Sequence, residues 1–505
     1  MAFLALLLLT ALPGGDDEAR KPVRKSIPLS VREAVALSLN HNLDIEIARY
    51  QPWIEEQNVL VTLGQWDHVL YGSAVRSRAV QPGTSSLSGA SKLESDGKDV
   101  EFGVRKLLPF GGSYDVFAGG NYIRSNNSFL LENPLYTDSA GVAITLPLLR
   151  GGSTAANTAT LVIARNERDI SVDVFEKTVS DSVFAVIQAY ADLAFAIEEK
   201  KVKEQSVDVA SRLLEDNRRK FDRGLASRLD VTQADAGVAA QQEGLLTAEA
   251  AVLNASDRLK RLVDPSLLAS ELEIVPVERP GTRLGDLDER AATEKALEQA
   301  RGSRPEFRQL RRQMSSQDVE IARAANDRLP RLDFTGSGTI NGTEGTFSEA
   351  FREADGLDTY DVTGGIIFEW AFENRAARGA SQRAELQRRR LVLQERNLEN
   401  QVLVEIREAV RAIKTNEKRI EATRRARVLA EEQLEGELTR NQQGLSTTFR
   451  VIDVQEDLVQ ARTNELKALI DYHLSRYRLG QVSGVLLEQQ GILIRENLAP
   501  RVSLR

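Results

Sequence analysis

Two octapeptides of this chain align with each other, Gly224-Leu225-Ala226-Ser227-Arg228-Leu229-Asp230-Val231 and, 220 positions later, Gly444-Leu445-Ser446-Thr447-Thr448-Phe449-Arg450-Val451. The first copy follows residues 153–221, which contain neither Gly nor Pro. Because glycine tolerates a positive φ, Gly224 and Gly444 are places where a long helix can end and the chain can turn back. The sequence therefore predicts two long helical hairpins, one around each copy.

The two octapeptides belong to a tandem repeat that extends over most of the chain. Residues 144–149 pair with 367–372 at an offset of 223, and residues 33–44 pair with 295–306 at an offset of 262. The change of offset places about 40 extra residues in the first half, between its short helix and its last strand. Each half is predicted to contain a short helix, extended segments, a long helix, a turn and a second long helix.

The long helices are predicted to pack through a narrow apolar stripe, because their apolar residues recur every three or four positions. As a helix, residues 153–221 would be roughly 100 Å long. An ordinary coiled coil would have the same pattern, so the helices alone do not indicate a function. The stripe comprises Val179, Val183, Val186, Tyr190, Leu193 and Ile197, then Leu398, Val402, Ile406, Ala409, Ile413 and Ile420, and on the returning helix Val451, Val454, Leu458, Ala461, Ala468 and Tyr472.

The extended segments alternate apolar and polar residues over about ten positions. In 331–341, Leu332, Phe334 and Ile340 share one face, and the other face is polar. Residues 360–370 and 139–146 alternate in the same way, and in 68–76 the apolar face is assigned to Val69, Tyr71 and Val75. One apolar and one polar face fit a strand of a membrane β-barrel. The alternative is a soluble antiparallel sheet with one solvated face.

The N-terminus and the composition narrow the class of protein. Residues 4–9 form an apolar run that is too short to span a bilayer and is typical of a secretory signal, predicted over 1–20. No other stretch approaches 18 apolar residues, so any membrane crossing is expected to use strands. A net charge of −8 argues against a general nucleic-acid surface, and the absence of Cys excludes disulfides and thiolate chemistry.

No catalytic constellation is recognisable in the sequence. The three histidines, His41, His68 and His473, are far apart, and no nucleophile, zinc or phosphate-loop motif stands in a credible context. The many carboxylates on the predicted helices are interpreted as solvated faces. We therefore expect no enzyme activity, no metal site and no cofactor.

Three motifs and their duplication resemble the outer membrane efflux (TolC) family. They are Arg304-Pro305-Glu306 early in the second half, Pro147-Leu148-Leu149-Arg150-Gly151-Gly152 between strand and long helix, and the G-L-x-[ST]-x-x-D-V turn at 224–231. The resemblance implies a mainly α protein with membrane β-structure. In it, a tandem-repeat protomer contributes to a trimeric β-barrel, normally with four strands each, and to a long α-helical barrel in the periplasm.

The resemblance also implies a division of the chain. The expected segments are a signal peptide over 1–20, equatorial short helices over 26–62, barrel strands over 66–149, a long α-hairpin over 150–263, an inter-repeat equatorial segment over 264–303, a helix over 304–329, barrel strands over 330–372, a second long α-hairpin over 373–480 and a C-terminal equatorial segment over 481–505.

The extra residues of the first half contain an additional predicted hairpin over 99–123, with a turn at 109–112. Its two strands could join the barrel, giving six strands per protomer and eighteen in all. The interpretation that we favour from sequence places the hairpin outside the membrane, with 81–98, 124–138 and 342–358 as surface loops.

Two sites follow from the resemblance. The hairpin turns, with Gly224, Leu225, Ser227, Asp230, Gly444, Leu445 and Thr447, are implied to contact a periplasmic adaptor protein. A helix cap with a hydrophobic contact would explain the same residues.

The second site is a pore constriction at the periplasmic mouth. Family members often have two aspartates one turn apart, so that three protomers form acidic rings. Here Asp453 is present, but Arg450 replaces the first aspartate. Arg450 could pair with a neighbouring carboxylate and hold a closed state, or Asp453 could be an ordinary surface residue.

The resemblance implies a passive exit duct of a tripartite efflux or type I secretion system. Its expected partners are two further copies of the chain, the adaptor, an inner-membrane pump and outer-membrane lipid, without nucleic acid. The alternative is a non-channel coiled-coil structural or adhesive protein of the envelope.

Overall fold

The structure is a computed structural model that describes residues 26–83, 89–128, 130–269, 272–278, 288–355, 359–492 and 494. The signal peptide predicted over 1–20 lies outside the described residues. Long helices and one large sheet account for most of the described chain.

The helices begin and end as follows: α1 Val31–His41, α2 Leu43–Leu63, α3 Thr154–Asn157, α4 Ala159–Asp222, α5 Arg228–Val263, α6 Glu289–Ser303, α7 Pro305–Asn326, α8 Phe347–Asp355, α9 Arg375–Gln442, α10 Thr448–Val482 and α11 Leu486–Gln489. The strands are β1 Ser26–Leu29, β2 Val69–Pro82, β3 Lys92–Leu107, β4 Ser113–Ser125, β5 Leu135–Pro147, β6 Glu273–Pro276, β7 Arg331–Glu344 and β8 Tyr360–Glu369.

The chain forms two compact units, each drawing on both halves of the repeat. The first is built from the described residues within 26–43, 182–278 and 412–476, and the second from those within 44–181, 288–411 and 477–494.

The core of the first unit is the apolar stripe predicted from the three-and-four spacing. Val183, Val186 and Leu193 of α4 are fully buried, as are Val451 and Val454 of α10. The stripe removes apolar surface from water on helices that are otherwise charged.

Helix α4 corrects one expectation from the sequence. Among the described residues it is the one helix long and apolar enough to cross a membrane, by length and composition alone. We had expected no such stretch beyond the N-terminus. Because Val183, Val186 and Leu193 are buried within the first unit, helix packing accounts for part of this apolar character.

Two short strands pair in parallel in the first unit, β1 with β6, in the register Ser26 to Glu273. The buried side chain of Tyr190 joins them to α4. Its hydroxyl donates to the carbonyl oxygen of Leu29 at 2.9 Å and accepts from the backbone N–H of Glu278 at 3.2 Å. That these segments form an equatorial belt remains a prediction.

The second unit contains a six-stranded antiparallel sheet in the order β2-β3-β4-β5-β7-β8. The additional hairpin supplies β3 and β4, which are interior strands. The hairpin, for which the sequence favoured a place outside the membrane, therefore lies within the sheet, between β2 and β5. The physical reason is its pairing, since β3 aligns with β2 over fourteen residues and with β4 over thirteen.

Segments predicted as surface loops are also partly regular. Strand β3 begins at Lys92, β5 begins at Leu135 and β7 continues to Glu344. Residues 347–355 form the helix α8. Its apolar residues Phe347, Ala350, Phe351 and Ala354 recur at helical spacing, and this signal could have indicated the helix.

Helices α6, α7, α9 and α10 pack together in the second unit. Ala300, Phe307, Val402, Ile406 and Val482 form the centre of this cluster. The motif Arg304-Pro305-Glu306 lies at its edge, where α7 begins with Pro305 at a position that needs no backbone N–H.

Arg304 joins two helices through its guanidinium. Its Nη2 lies 2.9 Å from Oε1 of Glu306, and its Nη1 lies 2.7 Å from Oε2 of Glu405. The side chains of Arg304 and Glu306 are only 12% and 19% exposed. Burial alone would raise the pKa of Glu306, but the hydrogen bonds and charge of Arg304 outweigh it and lower that pKa.

This lowered pKa predicts a pH-dependent part of stability. A carboxyl with a depressed pKa in the folded state stabilises the fold above its unfolded pKa of about 4.3, and that contribution is lost as the pH falls through the folded value. Glu306→Gln should therefore reduce the free energy of unfolding at pH 7 and flatten its decline below about pH 4.5. Chemical unfolding in detergent, at one protein concentration and several pH values, measures both effects.

Glu373→Gln, which changes an exposed pair with Arg375, is the matched control and should change neither quantity measurably. Equal pH slopes for wild type and Glu306→Gln would contradict the assignment.

Tyr190→Phe should lower the free energy of unfolding by about 1–3 kcal/mol, because Leu29 and Glu278 each lose a buried hydrogen-bond partner. The same unfolding experiment at pH 7 measures this. Tyr50→Phe, at an exposed ring, is the control. A Tyr190→Phe protein as stable as the control would show that the hydroxyl is dispensable.

Candidate functional site: the hairpin turns and the faces of the sheet

The first hairpin turn is a glycine-terminated helix end followed by a capped helix. Gly224 has a φ of +73°, and the N–H of Leu225 donates to the carbonyl of Lys220 at 2.8 Å. Ser227 then caps α5, because its Oγ accepts from the N–H of Asp230 while the Asp230 carboxylate accepts from the Ser227 N–H. The hydrogen bonds from Ser227 lower the pKa of Asp230.

The second turn repeats this geometry. Gly444 has a φ of +71°, and the N–H of Leu445 donates to the carbonyl of Arg440 at 2.8 Å. Thr447 Oγ1 accepts from the N–H of Arg450 at 3.3 Å at the start of α10. Leu225 and Leu445 occupy equivalent positions and are 75% and 67% exposed.

The two turns are tied to each other by polar contacts that the sequence did not suggest. Lys220 Nζ donates to the carbonyl and to Oδ1 of Asn441, at 3.0 and 3.1 Å. One turn deeper, the hydroxyl of Thr448 lies 3.3 Å from Oδ1 of the buried Asn217. These pairs are more than 200 residues apart, and only the repeat, which aligns the two turns, could have indicated their proximity.

The second predicted site is an ion pair on the first turns of α10. Arg450 Nη1 lies 2.7 Å from Oδ2 of Asp453, and both side chains are about half exposed. Arg450 is therefore paired with a nearby carboxylate within this chain. The pair has no net charge, in contrast to two stacked aspartates.

The sheet separates polar from apolar side chains, because residues paired across antiparallel strands lie on the same face. The register joins Val104 to Val116, Val116 to Val142, and Gly338 to Val362 on what we call the apolar face. The polar face contains, among others, Glu101, Asp115, Ser139, Thr339 and Asp361.

One face assignment from sequence is wrong. Val69, Tyr71 and Val75 of β2 lie on the polar face, since Tyr71 pairs with Gly103 and Val75 with Asp99. Leu70 is on the apolar face instead, paired with Val104.

The side chain of Tyr71 explains why the alternation along β2 predicted the wrong face. The Tyr71 hydroxyl donates to Oδ1 of Asp115 at 3.0 Å, and the guanidinium of Arg105 lies 5.4 Å from its ring centroid. Tyr71 thus acts as a polar side chain in this sheet.

Aromatic residues flank the apolar face at both ends of the sheet. Helices α2, α3, α7 and α9 adjoin one end, which we call the helix end, and connecting loops adjoin the other, the loop end. Tyr122, Tyr136 and Tyr360 lie toward the loop end, and Phe334 and Phe368 toward the helix end. An apolar band between two aromatic belts is the pattern of an outer-membrane barrel surface.

Among the residues that the structure describes, no group of three or more His, Asp or Glu side chains is arranged to hold a metal ion.

The chain has the fold of outer-membrane channels. It is similar to CmeC from Campylobacter jejuni, an outer membrane channel, with a TM-score of 0.68 and 16% identity over 95% of this chain and 94% of that one. It is similar to the outer-membrane channel OprN, with a TM-score of 0.65 and 15% identity over 94% and 96%. It is also similar to the outer membrane protein VceC from Vibrio cholerae, with a TM-score of 0.63 and 17% identity over 90% of this chain and 96% of that one. A sequence search among curated proteins found no significant match.

The family assignment comes from the sequence itself. The model of the family described as outer membrane efflux protein matches residues 114–263 and 296–485, more than half of the chain and parts of both halves of the repeat. Channels of this family are trimeric and generally work with adaptor and pump partners. The chain belongs to the outer membrane efflux protein family, the family that the turn motifs and the duplication had predicted.

Proposed function

We propose that three copies of this chain form a passive exit duct in the outer membrane, through which substrates delivered by an inner-membrane pump and its periplasmic adaptor leave the cell. The observation that carries the proposal is the six-stranded sheet, with an apolar face, a polar face and two end strands. In the described part of the chain β2 and β8 each pair on one side only.

The end strands require partners if the sheet lies in lipid. Unpaired backbone N–H and C=O groups are not tolerated in the hydrocarbon region, so a membrane sheet must close. Six antiparallel strands leave β2 and β8 running in opposite directions. A second copy can therefore place its β8 beside β2 in an antiparallel ladder, and three copies can close the ring.

Three such sheets form an eighteen-stranded barrel. Because barrel diameter grows roughly linearly with strand number, it would be about one and a half times as wide as a twelve-stranded barrel. The polar face would line a water-filled lumen, and carboxylates and guanidiniums both lie on that face, including Asp115 and Arg105.

The apolar face argues against the alternative of a structural or adhesive envelope protein. Large apolar side chains stand exposed on it, with Val362 78% exposed and Leu70 equally so. A soluble sheet would leave this contiguous patch in water, whereas lipid covers it at no such cost.

The hairpin turns are proposed as the adaptor contact. The support is the pair of exposed leucines, Leu225 and Leu445, each at a glycine turn beside a polar cap. A helical hairpin of a partner could bury both leucines without rearranging either turn.

The Arg450–Asp453 pair is proposed to lie at the periplasmic mouth. Paired side chains would make the mouth nearly neutral, so that cation selectivity would appear only when the pair is broken. Opening would then be a shift between two packed states, favoured by the adaptor.

The trimer can be tested by disulfide formation, because the natural chain has no Cys. Ser73→Cys on β2 combined with Thr363→Cys on β8, both on the polar face, should give cross-linked dimers and trimers on oxidation in membranes. Ser77→Cys with Thr363→Cys samples a second register.

The matched control is Ser139→Cys with Thr363→Cys, since Ser139 is on the interior strand β5 and cannot reach a neighbouring copy. A monomeric mass for the purified protein in detergent, together with no cross-linking in either register, would contradict the proposal.

The mouth can be tested by conductance in planar bilayers. Arg450→Gln should raise the preference for cations over anions, because Asp453 loses its counter-ion in each copy. Arg450→Gln/Asp453→Asn should return the preference to near the wild-type value. Folding should be little affected, since exposed ion pairs contribute about 0–1 kcal/mol.

The control for a charge change elsewhere on the helices is Asp235→Asn. It removes an exposed carboxylate on α5 that lies near Arg218 of α4. Selectivity that is the same in all variants would remove the Arg450–Asp453 pair from the mouth.

A further inference from the structure

Parts of four helices lie side by side in the second unit, in the order α2, α4, α7 and α9. Arg168 of α4 forms an ion pair with Glu56 of α2 at 3.3 Å. Asn166 of α4 donates to the hydroxyl of Ser316 of α7 at 2.9 Å. Helix α7 in turn packs on α9 in the apolar cluster described above. In the described part of the chain, α2 and α9 are therefore the two end helices of this array.

Helix α2 has an apolar stripe on each of two opposite faces. The buried stripe, which faces the rest of the chain, comprises Ile45, Pro52 and Val59. The exposed stripe has intervals of three, four and seven residues and side chains that are 51–76% exposed, and it comprises Ile47, Tyr50, Ile54 and Val61. A helix that is apolar on opposite faces is typical of a position between two neighbours.

The first part of α9 has the same two apolar faces. Its buried stripe includes Ala384, Leu391 and Val402. Its exposed stripe has intervals of seven and eleven residues and side chains that are 52–63% exposed, and it comprises Leu386, Leu393 and Val404. We call the exposed stripes the outer stripes of α2 and of α9. Each end helix of the array thus presents an apolar face without a neighbour among the described residues.

The charges beside the two outer stripes are opposite in sign. Residues 44–63 of α2 have four carboxylates and one guanidinium, a net charge of −3. Residues 377–396 of α9 have six guanidiniums and two carboxylates, a net charge of +4. One α2 carboxylate and one α9 guanidinium are paired within the chain, which leaves α2 acidic and α9 basic. Such complementarity selects a partner more than it adds affinity.

Two of these charged side chains flank the outer stripes. At 100° per residue, Glu46 lies beside Ile47 on α2, and Arg396 lies beside Leu393 on α9. Both are exposed, and neither forms an ion pair with another described residue. If the two helices pack antiparallel through their outer stripes, Glu46 and Arg396 lie on the same side of the contact. Charges at such flanking positions set partner choice and orientation in helix pairs.

Chain connectivity brings α2 and α9 of different copies together when the barrel closes as proposed. Helix α2 is joined to β2 by the five residues 64–68, and β8 is joined to α9 by the five residues 370–374. When β2 of one copy pairs with β8 of the next, α2 therefore lies beside α9 of that next copy and runs in the opposite direction. The equal connections place Leu63 level with Arg375.

We propose that the outer stripes of α2 and α9 from neighbouring copies form an antiparallel, charge-matched helix pair that sets the register in which one copy accepts the next. In this pair Ile54 packs on Leu386, and Ile47 packs on Leu393. This register differs by only two residues, about 3 Å, from the one that the equal connections impose. The inference rests on the proposed function, because it uses the closure of the barrel.

The two stripes identify the partner as a second copy of this chain. Another protein could match the charge of one stripe, but each copy of this chain supplies one acidic and one basic stripe in the register that the other needs. The two surfaces differ, so the contact is heterologous, and such contacts end only when a ring closes. Three copies would use all six stripes and leave none exposed.

The register can be tested by disulfide formation in the full-length protein, which has no natural Cys. Ile47→Cys combined with Leu393→Cys should give covalent dimers and trimers when membranes are oxidised. Ile47→Cys combined with Leu386→Cys is the matched control. It displaces one partner by seven residues, about 10 Å along the helix, which is beyond the reach of a disulfide, and it should stay monomeric under denaturing conditions.

The charge contact can be tested by exchanging its two signs. Glu46→Arg and Arg396→Glu should each shorten the half-life of the purified trimer in detergent, by roughly twofold to fivefold. Glu46→Arg/Arg396→Glu, which restores opposite charges, should recover most of the wild-type half-life. Glu298→Arg, at an exposed carboxylate on α6, is the control for a charge reversal elsewhere and should leave the half-life unchanged.

The cross-links between β2 and β8 keep the two proposals apart. Copies that cross-link through their strands but not through Ile47→Cys/Leu393→Cys, or that cross-link equally in the displaced register, would overturn the helix pair and leave the duct standing. A monomeric mass with no cross-link through strands or helices would overturn both. A double charge variant no longer-lived than the single variants would overturn the contact between Glu46 and Arg396.

Discussion

The structure depends on the rule that strands in lipid must satisfy all their backbone hydrogen bonds. In the described part of one chain, five ladders of hydrogen bonds join the six strands of the sheet. The backbone groups along the outer edges of β2 and β8 have no partner strand there, so these two edges do not meet the rule. Among the described residues, the sheet is therefore open at both of its end strands. The apolar face adds to this constraint, because its large exposed side chains are compatible with lipid and poorly compatible with water.

The additional hairpin respects the same rule because it adds strands in a pair. One extra strand would have made β2 and β8 parallel and prevented the antiparallel closure between copies. Two extra strands preserve the direction of both ends. In the proposed eighteen-stranded barrel, the insertion in the first half would therefore widen the pore without altering the way in which copies meet.

Much of the fold was predictable from periodicity, and the failures have specific physical causes. Glycines at 224 and 444, the buried stripe of α4 and α10, and the faces of β7 were read correctly because local pattern and tertiary environment agree. The two faces of β2 were assigned the wrong way round, because Tyr71 counts as apolar in a sequence pattern, yet its hydroxyl hydrogen-bonds to Asp115 on the polar face. At the candidate sites, the turn residues were visible, but the contacts of Lys220 with Asn441 and of Asn217 with Thr448 depend on chain segments that only folding brings together.

The duplication has a consequence for the stoichiometry of the partner. The two turns of each chain have the same backbone but different surroundings, since Lys220 of the first reaches across to Asn441 beside the second. Three chains would therefore present six turns of two alternating kinds, the proposed contacts of the adaptor. A partner that occupied all six would meet pseudo-sixfold rather than true sixfold symmetry, and its neighbouring copies would bind with unequal strength.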